Sequence, residues 1–206
     1  MRVLVACESS GVVREAFRAL GHSAWSCDLQ PADDRSGYHF QQDIREVLQL
    51  DGWDLLIAHP PCTYLSSSGM HWTARGLRDP QLTDDAAEFF LSFTRTKIPH
   101  VAIENPVGIM STRYRKPDQY IQPYQFGEDA SKKTGLWLNG LPPLVPTVCI
   151  APRLVDGKPR WSNQTDSGQN RLGPSSDRWK IRSNTYPGIA KAMAEQWTKY
   201  INGKRI

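Results

Sequence analysis

Two short stretches hold residue types able to do covalent chemistry. Residues 57–65, IAHPPCTYL, close an apolar run with two prolines and a cysteine. The run 54–58 reads as a buried strand. It must stop at Pro60-Pro61, because neither proline donates to a ladder and each restricts the residue before it. Cys62 therefore falls where a parallel strand gives way to a stiff loop, the end of an α/β sheet at which ligands bind. A thiol on a path fixed by Pro60 and Pro61 suits a nucleophile, which needs a defined direction of attack. A second apolar strand, 100–103, ends in Glu104-Asn105-Pro106. Adjacent strands lie about 4.8 Å apart, so a carboxyl at that edge can meet the Cys62 thiol across the top of the sheet. The bland alternative is a packing cysteine beside a turn and a solvent-facing glutamate. The repeated arrangement of strand, polar group and proline weighs against it.

The elements that must position this pair are legible around it. Arg2–Ala6 is a β-branched strand, and Cys7-Glu8-Ser9-Ser10-Gly11 follows as a turn of mainly small residues. Val12, Val13, Ala16, Phe17 and Leu20 fall at helical spacing, with Gly21 as the expected C-cap. A strand over 23–27 then ends on Asp28. Strand, tight turn, helix, strand and acid together outline a nucleotide-binding βαβ unit, although the turn lacks the full GxGxxG pattern. Asp28 either accepts from ribose hydroxyls or simply forms the turn. Asp43 ends a weak third strand over 38–44, and it either caps a helix over 44–50 or lies near a bound base. Residues 66–79, SSSGMHWTARGLRD, have no steady period and read as a mobile loop closing over a substrate. Thr83 is placed to cap a helix over 84–94. Residues 120–126 and 134–138 read as an antiparallel hairpin. Residues 140–151 are proline-rich, and 152–182 are polar and turn-rich. Pro187 opens a final helix whose apolar side carries Ile189, Ala190, Met193, Ala194, Trp197 and Ile201.

The totals narrow the class. The chain has 206 residues, enough for one α/β domain with a real core. No apolar run reaches the roughly 20 residues of a membrane helix, and the start RVLVA has no signal-peptide layout. The four cysteines, Cys7, Cys27, Cys62 and Cys149, form no CxxC pair, which indicates neither a zinc site nor a disulfide framework. A cytoplasmic setting is expected. The net charge of +4 is uneven: residues 1–112 hold 9 Lys+Arg and 14 Asp+Glu, whereas residues 113–206 hold 16 and 7. A basic second half bearing Trp137, Trp161, Trp179 and Trp197 suits a polyanion such as nucleic acid, or is an ordinary solvated basic face.

The Pro-Pro-Cys strand end, followed some forty residues later by a Glu-Asn strand end, resembles the DNA cytosine carbon-5 methyltransferases. The resemblance runs over most of the chain in the family's order. It implies a Rossmann-like, mostly parallel α/β sheet with a C-terminal antiparallel hairpin, and S-adenosylmethionine as cofactor. Ala6, Cys7, Glu8, Ser10 and Gly11 look like the divergent first motif, with ACESSG where the family has FxGxG. Asp28 with Leu29 matches the ribose-binding acid, and Asp43 with Ile44 the position near the adenine amine. Pro60, Pro61 and Cys62 are the nucleophile motif, with Pro60 on the cofactor side and Pro61 on the substrate side. Glu104 and Asn105 are the catalytic glutamate motif, with proline where valine is usual. Lys132 and Lys133 stand where the family has QxRxR. Asn184 before the last helix resembles the final motif, which packs near the cofactor. Ser67, His71 and Trp72 are the expected cover or wedge over a flipped base.

The implied reaction has the Cys62 thiolate add to carbon 6 of cytosine, so that carbon 5 attacks the sulfonium methyl. Glu104 holds ring nitrogen 3, Asn105 orients the loop, and Lys132 or Lys133 favours the thiolate. The partner implied is DNA, with no metal and no membrane. A homodimer or a separate specificity partner is left open. The family's large target-recognition domain has only residues 146–182 to stand in for it, so 1–206 is expected to be one methyltransferase domain with a short basic insertion. That layout is similar to minimal versions encoded by bacteriophages, which places the protein in a bacterial or phage-infected cell. Alternatives are methylation of free cytosine nucleotide or single-stranded DNA, a catalytically silent DNA-binding protein of the same fold, and an amino-methyltransferase.

Overall fold

The computed structural model describes residues 1–175 and 178–203, apart from the Trp179 side chain. Strand β1 (Arg2–Ala6) leads through the Cys7–Gly11 turn into helix α1 (Val12–Arg18), and the chain returns as β2 (Ser23–Asp28). A short β3 (His39–Gln41), a single-turn α2 (Ile44–Val47) and β4 (Leu55–Ala58) follow. Helices α3 (Ser67–Ala74) and α4 (Gln81–Thr94) precede β5 (His100–Pro106). Next come α5 (Met110–Arg113), β6 (Gln119–Ile121) and β7 (Thr134–Asn139). The chain ends with the hairpin β8 (Arg153–Val155) and β9 (Lys158–Arg160), then α6 (Arg178–Ser183) and α7 (Pro187–Gly203).

The main sheet has seven strands in the order β3-β2-β1-β4-β5-β7-β6. β7 alone runs against its neighbours, pairing antiparallel with both β5 and β6. This is a mostly parallel, Rossmann-like sheet, closed by an antiparallel hairpin. Strand periodicity sorts the core into two layers. Val3, Val5, Leu55, Ile57 and Ala102 point to the face covered by α1 and α7, where Phe17, Met193 and Trp197 are buried. Leu4, Leu56, Ala58, Val101 and Ile103 point to the opposite face, under Phe90 and Phe93 of α4. β4 is buried on both faces, which is why its sequence is apolar throughout.

Several expectations need correction. Residues 66–79 are not one mobile loop, because α3 occupies 67–74. Its signal is a cap and not a period: Ser66 Oγ accepts the Gly69 N–H at 3.2 Å, and Gly69 is the one buried residue of the helix. Thr83 does not cap α4. The helix begins at Gln81 after Pro80, the Asp79 carboxylate accepts the Gln81 N–H at 2.9 Å, and Thr83 is buried inside the helix. The strand expected over 120–126 is three residues long and turns at once into a 3-10 turn at Pro123–Phe126. Helix α1 ends with its C-cap at Ala19, not Gly21, although Gly21 does take a left-handed φ of 79°. The polar, turn-rich segment 152–182 holds the β8–β9 hairpin and most of α6.

Candidate active site

The register of the sheet builds the centre of the site. Ala58 of β4 pairs with Ile103 of β5. The next residue on each strand, His59 and Glu104, therefore stands side by side beyond the end of β4. Their side chains meet, with His59 Nδ1 2.8 Å from Glu104 Oε2. One step further on, Asn105 is buried and its Nδ2 donates to the Pro60 carbonyl at 2.8 Å. These two bonds tie the end of β5 to the loop that carries Cys62. β5 runs on through Glu104 to Pro106 because it still pairs with β7, where Glu104 stands opposite Leu136.

Cys62 is held by backbone as well as by its prolines. Its carbonyl accepts the N–H groups of Leu65 and Ser66 at 3.1 and 2.9 Å. Two glycines press on the same loop. A Cβ at Gly69 would lie 2.0 Å from the Thr63 carbonyl oxygen, and one at Gly108 would lie 2.0 Å from that of Leu65. Side chains there would push the Cys62 loop out of place. The loop's path is therefore set by close backbone packing from α3 and from the β5–α5 link.

Electrostatics join four groups. Burial pushes the Cys62 thiol up, the Glu104 charge adds to this, and the Lys132 and Arg182 charges oppose it. For Glu104 burial acts upward too. The His59 hydrogen bond, the Lys132 charge, the His59 charge and the Thr134 hydroxyl outweigh it, so the carboxyl is held below its ordinary range. At rest, then, the thiol keeps its proton and Glu104 is ionised. Alkylation of Cys62 by iodoacetamide, followed by peptide mass spectrometry, should be slow at neutral pH and accelerate toward alkaline pH. Glu104→Gln removes the negative neighbour, so the thiol pKa falls and alkylation at pH 7 quickens. Lys132→Gln should slow it. Unchanged rates in both variants would contradict this coupling.

Of the two lysines, the structure brings Lys132 to the thiol and carboxyl, with its Nζ donating to the Asn184 carbonyl at 3.3 Å. Lys133 lies over the Tyr120 ring instead, 4.4 Å from its centroid. Asn184 is exposed and stands on the Lys132 side of the site. Ser67 donates to the Val107 carbonyl, and His71 and Trp72 pack edge to face on the exposed side of α3. His59, Thr134 and Arg182 were not singled out by sequence reasoning. His59 had one usable signal, its place directly before Pro60 at a strand end.

A cavity of about 160 Å³ opens beside the Cys62 loop. Cys7, Asp28, Leu29, Asp43, Ile44 and Pro61 are among its walls. They come from the carboxyl ends of β1, β2 and β4 and the start of α2, where ligands of such sheets bind. Asp28 Oδ1 accepts the Gln30 N–H at 2.9 Å, so the carboxylate is fixed at the rim. Asp43 does cap α2 through the Arg45 N–H, and its carboxylate also pairs with the Arg45 guanidinium while lining the cavity. Leu29 is 70 % exposed, an apolar surface open for a ring to cover. Burial lifts the Cys7 thiol well above its usual value, and the Asp28, Cys27 and Asp43 charges lift it further. A partly apolar cavity with the Asp28 carboxylate on its rim and the Asp43–Arg45 pair beside it fits a cationic adenosyl sulfonium, so the residues suit the cofactor that the resemblance implies.

The first turn is organised differently from a glycine-rich one. Glu8 is buried and accepts the N–H groups of Val13 and Arg14 at 2.7 and 3.3 Å, which caps α1. Ser10 Oγ sits 3.4 Å from the same carboxylate. Arg14 is fully buried, donating to Ser26 Oγ at 2.7 Å and pairing with Asp34. Gly11 takes φ 73°, and a Cβ there would strike the Arg14 guanidinium at 2.2 Å. Ala6 is buried at the end of β1, and Pro60 is occupied through its carbonyl. Among the described residues no cluster of His, Cys, Asp and Glu has metal-binding geometry, and no helix is long and apolar enough to cross a membrane.

Asp28→Ala should weaken S-adenosylhomocysteine binding by about 1.5–3 kcal/mol in calorimetry, if the carboxylate accepts from the ribose. An unchanged Kd would remove Asp28 from the cofactor site.

No protein-family model matches the chain, and no curated protein matches it. Among solved structures, it is similar in fold to a prophage-encoded protein of E. coli described as a candidate DNA modification methyltransferase, with a TM-score of 0.48 and 16% sequence identity. The match covers 76% of this chain and 53% of the other, so the chain spans about half that protein's length.

Proposed function

We propose that this protein transfers a methyl group from S-adenosylmethionine to carbon 5 of cytosine in DNA. The observation that carries the reading is the juncture of β4 and β5. There Cys62, Glu104, His59 and Lys132 are brought together next to a cavity rimmed by Asp28 and Asp43. Asp28, Leu29, Asp43 and Ile44 would hold the adenosyl part, with Cys7 and Pro61 lining the way toward Cys62. When bound, that group supplies an electrophilic methyl, which a carbon nucleophile can take.

The protein's own residues supply the rest. The Cys62 thiol loses its proton and its sulfur forms a bond to carbon 6 of the ring. The displaced electron pair moves toward ring nitrogen 3, where a protonated Glu104 meets it. Carbon 5 becomes electron-rich, takes the methyl and then loses its proton to solvent water. The Cys62–carbon 6 bond breaks as the ring regains its double bond. Asn105 keeps the Pro60 carbonyl, and hence the thiol, in register with Glu104. A base in duplex DNA must leave the stack to reach this centre, and exposed His71 and Trp72 on α3, which follows the Cys62 loop in sequence, would cover the gap.

The segment 146–182 is short for base reading, and part of it is fixed internally. Arg153 pairs with Asp166, and Ser162 binds Asp129. Selectivity for sequence is therefore expected to be lax. Labelled S-adenosylmethionine offered with duplex DNA, single-stranded DNA and dCMP in parallel tests the reading, with nucleoside mass spectrometry of the products. 5-Methylcytosine in DNA, spread over many short contexts, is expected. Transfer to dCMP alone would show the free nucleotide to be the substrate, and no transfer to any of them would overturn the proposal. A strict site of five or more base pairs would overturn the lax reading.

A further inference from the structure

Resting on the reading above, we infer that His59 is the proton store for Glu104, the group from which Glu104 is reloaded before it protonates cytosine nitrogen 3. The Nδ1 of His59 is 2.8 Å from Glu104 Oε2 on β5. Buried Glu8, from the turn after β1, also feels the His59 charge. The His59 backbone N–H donates to the Ala6 carbonyl at 2.9 Å, which fixes the residue at the tip of β1. Its side chain is 9 % exposed, and Nε2 is buried without a hydrogen-bond partner. A buried polar atom with no partner is costly and uncommon in a residue that serves packing alone. Here it belongs to the group in contact with the acid.

The mechanism leaves a need that this geometry meets. Glu104 is ionised at rest, yet the ring nitrogen requires a proton as the sulfur adds. Lys132 and Thr134 also face Glu104 and stabilise its charge, and Cys62 stands near it with its own proton. In its charged form His59 carries protons on both ring nitrogens. As the thiolate adds to carbon 6, the Nδ1 proton passes to the ionised Glu104 carboxylate, and the carboxyl so formed gives that proton to nitrogen 3. His59 is left neutral, holding its Nε2 proton. When the sulfur leaves carbon 6 the proton returns along the same path. No atom is added or lost and no further reactant is required. His59 touches Glu104 and not the ring, so it is a positioning and proton-supplying residue.

The test separates proton supply from mere support. Asparagine can place an amide N–H near the Nδ1 position, so His59→Asn keeps a donor to Glu104 but cannot give up a proton. For the variant, kcat on DNA at pH 6 should fall about 30-fold or more, with KM for DNA and S-adenosylhomocysteine affinity within about twofold. The deficit should shrink toward pH 9, where wild type runs short of the same proton. Turnover within twofold of wild type from pH 6 to pH 9 would overturn the inference. A second measurement needs neither turnover nor a variant. The ¹³C carboxyl resonance of Glu104 in the free wild-type protein should show two steps, its own and a second as His59 titrates. A single step would overturn the inference even with an active enzyme. If wild type makes no methylcytosine, the reading under Proposed function falls, while the carboxyl titration still decides whether His59 and Glu104 share a proton.

Discussion

Cys62→Ser should lower methyl transfer by roughly 10⁴-fold or more, while S-adenosylhomocysteine still binds as in wild type. The loss is large because a hydroxyl at this position is a far weaker nucleophile toward carbon 6, and nothing nearby is arranged to deprotonate it. Burial and the Glu104 charge already hold the thiol in its neutral form, against the Lys132 charge, a backbone hydrogen bond and the Arg182 charge, which favour an anion. The fold should be unaffected. Cys62 is part-exposed, and its loop is fixed by its backbone carbonyl and by Gly69 and Gly108, not by its sulfur. Urea unfolding should therefore agree with wild type within about 0.5 kcal/mol. Turnover within tenfold of wild type would show that Cys62 is not the nucleophile.

The largest expected effect on stability lies across the sheet from the site. Trp197→Ala should cost about 3–5 kcal/mol in urea unfolding, the range for removing a large buried aromatic. Trp197 is fully buried between α7 and the sheet, and its Nε1 donates to the Pro142 carbonyl at 3.1 Å. Its loss would leave a cavity among Val3, Phe17 and Met193 and an unpaired carbonyl in the 140–151 segment. That segment has no strand or helix of its own, so this bond and those of Gln119 and Gln196 are among the ties that hold it. A cost under 1 kcal/mol would show that the α7 face is not the anchor of this layer.

The helix that carries Trp197 was legible in the sequence, because a long amphipathic pattern after a proline admits few other foldings. The strands β1, β2 and β4 were legible for the same kind of reason, since runs buried on both faces are apolar without interruption. Helix α3 was not, because it buries only Gly69 and forms through the Ser66 cap and close backbone contact, and neither leaves a period. The β8–β9 hairpin has three residues per strand and turns at Asp156-Gly157, both with positive φ. So short a pair is set by its turn and by Arg153 and Arg160 bonding to Asp166, not by alternation.

The site divides in the same way. Cys62 and Glu104 could be found because each follows an apolar strand and meets a proline. Asp28 was legible as the acid that closes β2. The partnership of His59 with Glu104 was not, since it depends on Ala58 pairing with Ile103 and not with a residue one step away. A shift of one residue would turn the histidine to the other face of the sheet. The choice of Lys132 over Lys133 likewise depends on which side of β7's entry each lysine faces, and Lys133 is drawn off by Tyr120. Glu8 was expected near the cofactor from its place in the first turn. Its carboxylate is engaged with the first N–H groups of α1, a bond that no spacing in the sequence announces.

The measurement that reaches the central claim most directly is mass spectrometry of the protein after reaction with S-adenosylmethionine and DNA carrying 5-fluorocytosine. Fluorine at carbon 5 cannot leave as a proton does, so the ring cannot release the sulfur. A covalent complex that survives denaturation, with the methylated fluorocytosine nucleotide on the peptide containing Cys62, is the expected result. Wild-type enzyme that methylates ordinary DNA but leaves no adduct on Cys62, with its methyl groups on the exocyclic amine, would contradict it.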